Sequence, residues 1–154
     1  MDILRPMPNV PGLRSCYAKV GGLVYFGRML DKIRLLAAGK LPTDYHNNVS
    51  NGFDARCCSF LRVSHADLKT RTLAGGSDEE ILAWAFERGG ARSEDERELW
   101  SRFMMKIGWR DDRTPVLKQR LVEYGLVGKP IETFFDLNEY DEGRDPVGTQ
   151  AWLK

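Results

Sequence analysis

Apolar residues recur at helical spacing directly after the Gly21-Gly22 pair. The series advances by three or four residues at each step: Leu23, Phe26, Leu30, Ile33 and Ala37. At about 100° per residue these positions fall on one face of a helix. Gly39 follows as a C-terminal stop, because glycine readily takes the left-handed conformation that ends helices. The pattern therefore predicts an amphipathic helix beginning after Gly22 and ending before Gly39.

Serines at capping positions predict three more helix starts. Ser77 and Ser93 each stand three residues before a glutamate, the capping-box spacing, and broad apolar arcs follow both. Ser64 is placed to cap a shorter helix that runs through Leu73 and stops at the next glycines. The two capping boxes start 16 residues apart and share no recurring signature, which excludes a helical repeat array.

Two further segments read as helical. Thr114 followed by Pro115 fits an N-cap with proline at the first helical position. Residues 53–62 carry a weaker helical pattern, and no stretch alternates apolar and polar residues as a half-buried strand would. We predict an all-α fold, a single compact domain over residues 1–154 with five to seven helices.

The two ends of the chain are predicted to be irregular. Three prolines, Pro6, Pro8 and Pro11, exclude a helix there, so residues 1–20 are expected to form an extended Pro-rich N-terminal arm. Residues 131–154 are expected to form an irregular acidic C-terminal tail. Residues 1–40 carry a net charge of +5 and residues 132–145 a net charge of −5. Either the two ends dock on each other, or they recruit a charged partner.

Composition narrows the functional classes. The net charge of +1 argues against nucleic-acid binding, which needs a clustered positive surface. No apolar run is long enough to cross a membrane, and three scattered cysteines make no disulfide framework, so a cytoplasmic protein is expected. With two histidines, no Cys-x-x-Cys pair and no calcium-loop pattern among the C-terminal acids, no metal and no cofactor are predicted.

The first predicted helix holds the densest candidate chemistry. Gly27, Asp31 and Arg34 are spaced by four and three residues, so they form one strip bordering the apolar face. The missing side chain at Gly27 leaves room beside Asp31 and Arg34. Either another helix fills that gap and the two charges form a structural ion pair, or Arg34 binds an anion or carboxylate with its planar fork. Arg28 and Lys32 form a separate row, which reads as a solvated surface or as part of the same site.

A polar loop, Tyr45-His46-Asn47-Asn48, supplies the candidate acid–base group. His46 stands beside Asp44 and Tyr45, and a fold-back would bring Asp54 close. Catalysis, ligand binding and a structural capping role all remain open for His46. His65 follows a helix-capping serine and is expected at the surface. Cys57 and Cys58 are expected to be buried inside a helix and unreactive.

Residues 21–34, followed by Tyr45-His46 and the helix that opens at Ser77, resemble a small bacterial family known as domain of unknown function 5069. The resemblance covers roughly residues 12–110, and Arg-x-x-Asp-Lys-x-Arg at residues 28–34 is its most specific part. It implies a small bacterial protein and brings no assigned activity or cofactor. It favours six positions for a ligand site: Arg28, Asp31, Lys32, Arg34, Tyr45 and His46.

The leading hypothesis is binding of a small anionic ligand or an acidic protein segment, with Asp31, Arg34, Tyr45 and His46 lining the site. The first alternative is an enzyme that uses His46 as general acid or base and Arg34 as a clamp for an anionic substrate. The second is an interaction or assembly protein that uses its basic N-terminal and acidic C-terminal halves.

Overall fold

The computed structural model describes residues 9–154, which fold mostly as helices. The α-helices are α1 Phe26–Ala37, α2 Phe53–Leu61, α3 His65–Leu73, α4 Asp78–Gly89, α5 Glu94–Lys106, α6 Thr114–Glu123, α7 Phe134–Asp141 and α8 Pro146–Thr149. Two 3-10 helices, Thr43–Asn48 and Ala151–Leu153, and two short strands, β1 Lys19–Val20 and β2 Leu23–Val24, complete the described part. The predicted helical class is confirmed, with eight α-helices over residues 9–154 where five to seven were expected.

The chain divides into two compact units. The first is Gly12–Ser101, and the second is Arg102–Lys154 together with residues 9–11. The single domain expected from chain length stays a prediction. The part of the predicted N-terminal arm that falls on residues 1–8 lies outside the described residues, and residues 9–18 form neither helix nor strand.

A small hairpin precedes α1, where the sequence predicted the start of a helix. Lys19 pairs with Val24 and Val20 with Leu23, in antiparallel register. Gly21 and Gly22 form the turn with φ of 56° and 83°, values that favour glycine in two-residue hairpins. Helix α1 begins at Phe26, so the prediction of helix from Leu23 is wrong for its first residues. The apolar spacing there belongs to a strand that happens to match the helical period.

Helix α1 is the buried centre of the first unit. All eight residues from Phe26 to Ile33 are buried, the charged ones included, and α1 packs against α3 and β1. It ends as predicted: the Gly39 and Lys40 amides donate to the Leu36 and Leu35 carbonyls, and Gly39 has φ of 71°. The expectation that Arg28 and Lys32 form a solvated row is wrong, since each is 3% exposed.

The predicted caps of α3, α4 and α5 are confirmed. The Ser64 side chain accepts from the Asp67 amide, and both capping boxes have their reciprocal hydrogen bonds, Ser77 with Glu80 and Ser93 with Glu96. The predicted helix over residues 53–62 is α2. At α6 the prediction is wrong by one residue, because the helix already includes Thr114, whose hydroxyl donates to the Gly108 carbonyl.

The C-terminal segment is helical where an irregular acidic tail over residues 131–154 was expected. Thr133 caps α7 by accepting from the Asp136 amide, and Asp145 caps the short α8 in the same way through the Gly148 amide. Phe135 and Leu137 are almost fully buried. Buried apolar residues, which the acidic composition obscured, therefore explain why this segment folds as helix. Helix α7 packs against α6 and α8.

Candidate functional site

Four polar side chains of the first unit converge in its interior, and we call them the Tyr–Lys–Asp–His cluster: Tyr25, Lys32, Asp54 and His65. The Tyr25 hydroxyl donates to Asp54 Oδ1 at 2.6 Å. The Lys32 ammonium donates to the same oxygen at 3.0 Å and to the Tyr25 hydroxyl at 3.2 Å. His65 Nε2 lies 3.6 Å from Asp54 Oδ2, too far for a hydrogen bond.

Local structure brings the four side chains together. Tyr25 is the N-cap residue of α1, and Lys32 lies within that helix. Asp54 lies in the first turn of α2, and His65 is the first residue of α3. Tyr25 takes a left-handed backbone conformation with φ of 70°, which is strained for an aromatic residue. The cluster therefore sits where three helices begin or nearly begin.

Burial makes the charges of this cluster strongly interdependent. Asp54 is 0% exposed, and Tyr25 and Lys32 are each 3% exposed. Burial opposes ionisation of the Asp54 carboxyl, but His65, the Lys32 charge and the hydrogen bonds from Tyr25 and Lys32 outweigh it and hold its pKa below the usual range. Burial lowers the pKa of Lys32 against the opposing pull of Asp54. Burial, followed by the Asp54 charge, raises the pKa of Tyr25 well above its usual value.

The main chain of the loop before α2 closes the cluster on one side. Lys32 Nζ donates to the Asn48 carbonyl at 3.0 Å, and the Ser50 amide donates to Asp54 Oδ2 at 3.0 Å. His65 Nε2 is buried and has no hydrogen-bond partner within the described residues. The side chain of His65 is 13% exposed, so the cluster reaches solvent next to the start of α3.

A second group of charges, the arginine–aspartate network, lies on a different side of α1: Arg14, Asp31, Arg34 and Asp78. Arg14 donates from Nε to Asp31 Oδ2 at 2.9 Å and from Nη2 to Asp31 Oδ1 at 3.0 Å. Its Nη1 lies 2.7 Å from Asp78 Oδ2. Arg34 bonds Asp78 Oδ1 at 2.9 Å and lies 3.6 Å from Asp31 Oδ1. Two guanidinium groups and two carboxylates thus neutralise each other at a partly exposed position.

Arg14 occupies the gap that Gly27 leaves on α1. A Cβ atom at Gly27 would lie 2.8 Å from Arg14 Cζ, and Arg14 Nη2 donates to the Gly27 carbonyl at 3.1 Å. Another helix or a ligand was expected in this gap beside Asp31 and Arg34. The occupant is a side chain from the segment before the hairpin. The Asp78 carboxylate, in turn, holds the position beside Arg34 that an anion would take.

Tyr45 and His46 lie in the 3-10 helix Thr43–Asn48. His46 is exposed, and its Nε2 donates to the Leu41 carbonyl at 2.9 Å, which is a local structural hydrogen bond. The fold-back that would bring Asp54 to His46 does not occur: the histidine beside Asp54 is His65. The expectation of a surface position for His65 is therefore wrong, while Cys57 and Cys58 are buried as expected.

Of the six predicted site residues, Lys32 belongs to the Tyr–Lys–Asp–His cluster, and Asp31 and Arg34 belong to the arginine–aspartate network. Arg28 is buried beside both, since its Nη1 donates to the Arg14 carbonyl at 2.9 Å and its charge acts on Lys32. Four residues of the two groups were not predicted as site residues, namely Tyr25, His65, Arg14 and Asp78, and Asp54 was expected beside His46. A polar residue in the first turn of each predicted helix was the available signal for Asp54, His65 and Asp78.

Several basic residues of the N-terminal region pair with carboxylates close to them in the structure. Arg14, Lys32 and Arg34 all pair with carboxylates inside Gly12–Ser101. Those three charges therefore contribute little to a basic surface that would recruit a partner.

These features define a mostly helical protein whose first helix is buried on its charged side as well as its apolar side. A family model described as Domain of unknown function (DUF5069) matches residues 10–144, and the chain belongs to this family. The match extends past residue 110, where the resemblance seen in the sequence ended, and includes α6 and α7. Comparison with curated proteins and with solved structures finds no match.

Two further observations concern membranes and metals. Across residues 9–154, no helix combines the length and the apolar character needed to cross a bilayer. In the same part of the chain, no group of three or more His, Cys, Asp or Glu side chains is arranged to hold a metal ion.

Proposed function

We propose that this protein binds a small anionic ligand at the Tyr–Lys–Asp–His cluster. Lys32 supplies the positive charge, and Tyr25 supplies a hydroxyl that orients the ligand. The observation that carries the proposal is the convergence of the Tyr25 hydroxyl and the Lys32 ammonium on the buried Asp54 carboxylate. The opening to solvent is at His65, the most exposed member of the cluster.

The energetics of the cluster support a role beyond stability. Replacing a buried ion pair by well-packed apolar side chains of similar volume is often neutral or stabilising by about 1–4 kcal/mol. Lys32 and Asp54 form such a pair at 3% and 0% exposure, so folding alone gives little reason to retain it. The left-handed backbone of Tyr25 adds a local strain of about 1–3 kcal/mol. Local costs of this kind concentrate at functional sites.

Electrostatics favour an anion over a cation here. Lys32 and Arg28 are both buried, and the positive charge of Arg28 is felt at Lys32 and at the Tyr25 hydroxyl. Lys32 is already paired with Asp54, so an anion binds here by taking the place of another contact of Lys32, such as the Asn48 carbonyl. In the arginine–aspartate network, Arg14 and Arg34 are likewise paired with the carboxylates of Asp31 and Asp78. The same argument weakens an acidic protein segment as the ligand at Arg34.

Acid–base catalysis is the second candidate, with Tyr25 in the role expected of His46. The observation that favours it is the short hydrogen bond of the Tyr25 hydroxyl beside a lysine whose pKa is lowered by burial. Burial raises the pKa of Tyr25 well above the range that suits general acid catalysis at neutral pH, and this ranks catalysis below ligand binding. If catalysis does occur, Tyr25→Phe abolishes turnover of a bound anion while retaining its binding, as followed by NMR of the ligand.

Thermal unfolding with a panel of small anions tests ligand binding. Phosphate, acetate, lactate, succinate and malate are each added to the wild type, Tyr25→Phe, Tyr45→Phe and Arg34→Ala. An anion at about 100 times its Kd stabilises the protein by about 2.7 kcal/mol, or roughly 5–10 °C for a chain of this size. We expect at least one anion to raise Tm in the wild type and in Tyr45→Phe, with most of that rise lost in Tyr25→Phe.

Arg34→Ala distinguishes the two groups of charges. If the ligand binds the Tyr–Lys–Asp–His cluster, this variant has a lower starting Tm but a ligand-induced rise close to that of the wild type. Loss of the rise in Arg34→Ala and its retention in Tyr25→Phe would move the site to the arginine–aspartate network. A panel that leaves the wild-type Tm unchanged would refute the proposal.

A further inference from the structure

Residues 48–50, which we call the strap, contact the Tyr–Lys–Asp–His cluster through main-chain atoms. The strap places one carbonyl, that of Asn48, on Lys32 Nζ and one amide, that of Ser50, on Asp54 Oδ2. The side chains of Asn48 and Ser50 are exposed, whereas Lys32 and Asp54 beneath them are buried. The strap therefore presents one acceptor and one donor to the two charged groups of the cluster.

Local bonds and a strained residue hold the strap in place. Val49 donates its amide to the His46 carbonyl at 3.2 Å, and the exposed Asn51 side chain donates to the Asn47 carbonyl at 2.9 Å. Ser50 has φ of 67°, in the left-handed region that side chains rarely adopt. Segments with exposed hydrogen bonds and few buried apolar contacts open at lower free energy than the core does.

We infer that the strap occupies the ligand position with its own main chain, and that the ligand replaces it. This inference rests on the proposed function of the cluster. Opening the strap frees one N–H of Lys32 and one oxygen of Asp54, while the Tyr25 contacts stay in place. A ligand that satisfies both groups carries an acceptor of negative charge together with an O–H or N–H donor nearby.

The chemical class that fits is a small carboxylate bearing a hydroxyl or amino group. Its carboxylate replaces the Asn48 carbonyl on Lys32, and its hydroxyl or amine replaces the Ser50 amide on Asp54. His65 Nε2 lies 3.6 Å from Asp54 Oδ2 and has no hydrogen-bond partner among the described residues, so it is placed to bond the same ligand. A second polar atom of the ligand would satisfy this nitrogen.

Hydrogen exchange of the Ser50 amide in the full-length chain, measured by NMR, tests the inference. The probes are matched pairs that differ by one hydroxyl: acetate and glycolate, propionate and lactate, succinate and malate. We expect at least one hydroxylated member to accelerate Ser50 exchange about tenfold or more at saturation and to exceed its partner. The Met29 amide, which donates to the Tyr25 carbonyl at 2.9 Å in α1, serves as the internal reference and keeps its rate.

The outcomes separate the inference from the proposed function. If both members of a pair bind with equal effect on Ser50, the cluster binds anions but the donor requirement is wrong. If carboxylates raise Tm through Tyr25 yet leave Ser50 protected, the ligand does not replace the strap. If no probe changes either Tm or Ser50 exchange, both proposals fall.

Asn51→Ala provides a second test that leaves the cluster intact. The variant removes the exposed side-chain hydrogen bond to the Asn47 carbonyl, so we expect faster Ser50 exchange without ligand. A strap that is already open more often also lowers the apparent Kd of the hydroxylated carboxylate. Faster Ser50 exchange with an unchanged or higher Kd would overturn the idea that strap and ligand compete.

Discussion

Lys32→Met is the most informative single substitution for the energetics of this protein. Methionine keeps much of the length of the lysine stem but removes the charge that faces Asp54 at 3.0 Å. The remaining carboxylate is 0% exposed and keeps hydrogen bonds from the Tyr25 hydroxyl and the Ser50 amide. Removing one partner of a buried pair costs about 3–5 kcal/mol, because the other charge stays desolvated. We expect a loss in that range at pH 7.

Urea unfolding followed by tryptophan fluorescence measures the loss, with an exposed ion pair as the control. Arg120 and Glu123 lie 3.9 Å apart with side chains 43% and 50% exposed, so Arg120→Met should cost no more than about 1 kcal/mol. The double variant Lys32→Met/Asp54→Asn removes both charges and keeps an acceptor for the Tyr25 hydroxyl, so it should recover most of the stability lost by Lys32→Met. This recovery would show that the cost comes from a stranded carboxylate and not from a packing defect.

The pH dependence of the stability lost by Lys32→Met independently tests whether a buried charge causes that loss. In the wild type, the positive charge of Lys32 counteracts the effect of burial on Asp54. Without Lys32, the pKa of the Asp54 carboxyl is therefore higher than in the wild type. A carboxyl with a raised folded-state pKa binds its proton more readily in the folded state, so the destabilisation shrinks as pH falls from 8 to 5. A loss below about 1 kcal/mol, or a loss independent of pH, would refute a desolvated Lys32–Asp54 pair.

Three further predictions concern packing and acid stability. Gly89→Ala brings a Cβ atom into collision with the Leu61 carbonyl oxygen, so thermal unfolding should show a loss of about 1–3 kcal/mol or more, and a neutral result would contradict this contact. Gly27→Ala should destabilise the wild type by displacing Arg14, yet stabilise an Arg14→Ala background by up to about 1 kcal/mol through helix propensity; the same sign in both backgrounds would refute the account. Because the folded-state pKa of Asp54 is lowered, its contribution is present above about pH 4 and is lost as pH falls further, so urea unfolding between pH 6 and 3 should show a shallower acid loss in Asp54→Asn.

Local patterns predicted the helices well, because caps and stops depend on residues close in sequence. The Ser77–Glu80 box and the Gly39 stop each involve residues at most a turn or so apart. The hairpin at Gly21-Gly22 was not predicted, because its strands have two residues each and the apolar residues after the turn match the helical spacing by coincidence. Short elements carry too few positions for a period to be read.

The site depended on contacts that no local pattern encodes. Lys32 meets Asp54 across 22 residues, and Arg34 meets Asp78 across 44. Periodicity placed Arg28 and Lys32 correctly on a face of α1 away from the apolar stripe. It gave no indication that α2, α3 and the loop before α2 would bury that face. The histidine beside Asp54 is His65 for the same reason: the sequence shows that His46 is near Tyr45 and Asp44 in the chain, but it does not show which histidine lies near Asp54 in space.

The burial of α1 on its charged side has a consequence for the order in which the first unit folds. The β1–β2 hairpin forms from neighbouring residues, whereas the partners of Lys32 and Arg34, Asp54 and Asp78, lie 22 and 44 residues further along the chain. Before Asp54 and Asp78 pack against α1, its charged face is hydrated. We therefore expect this face to lose its water late in folding. Substitutions that remove these charges should therefore speed unfolding much more than they slow refolding, as the two limbs of a chevron plot would report.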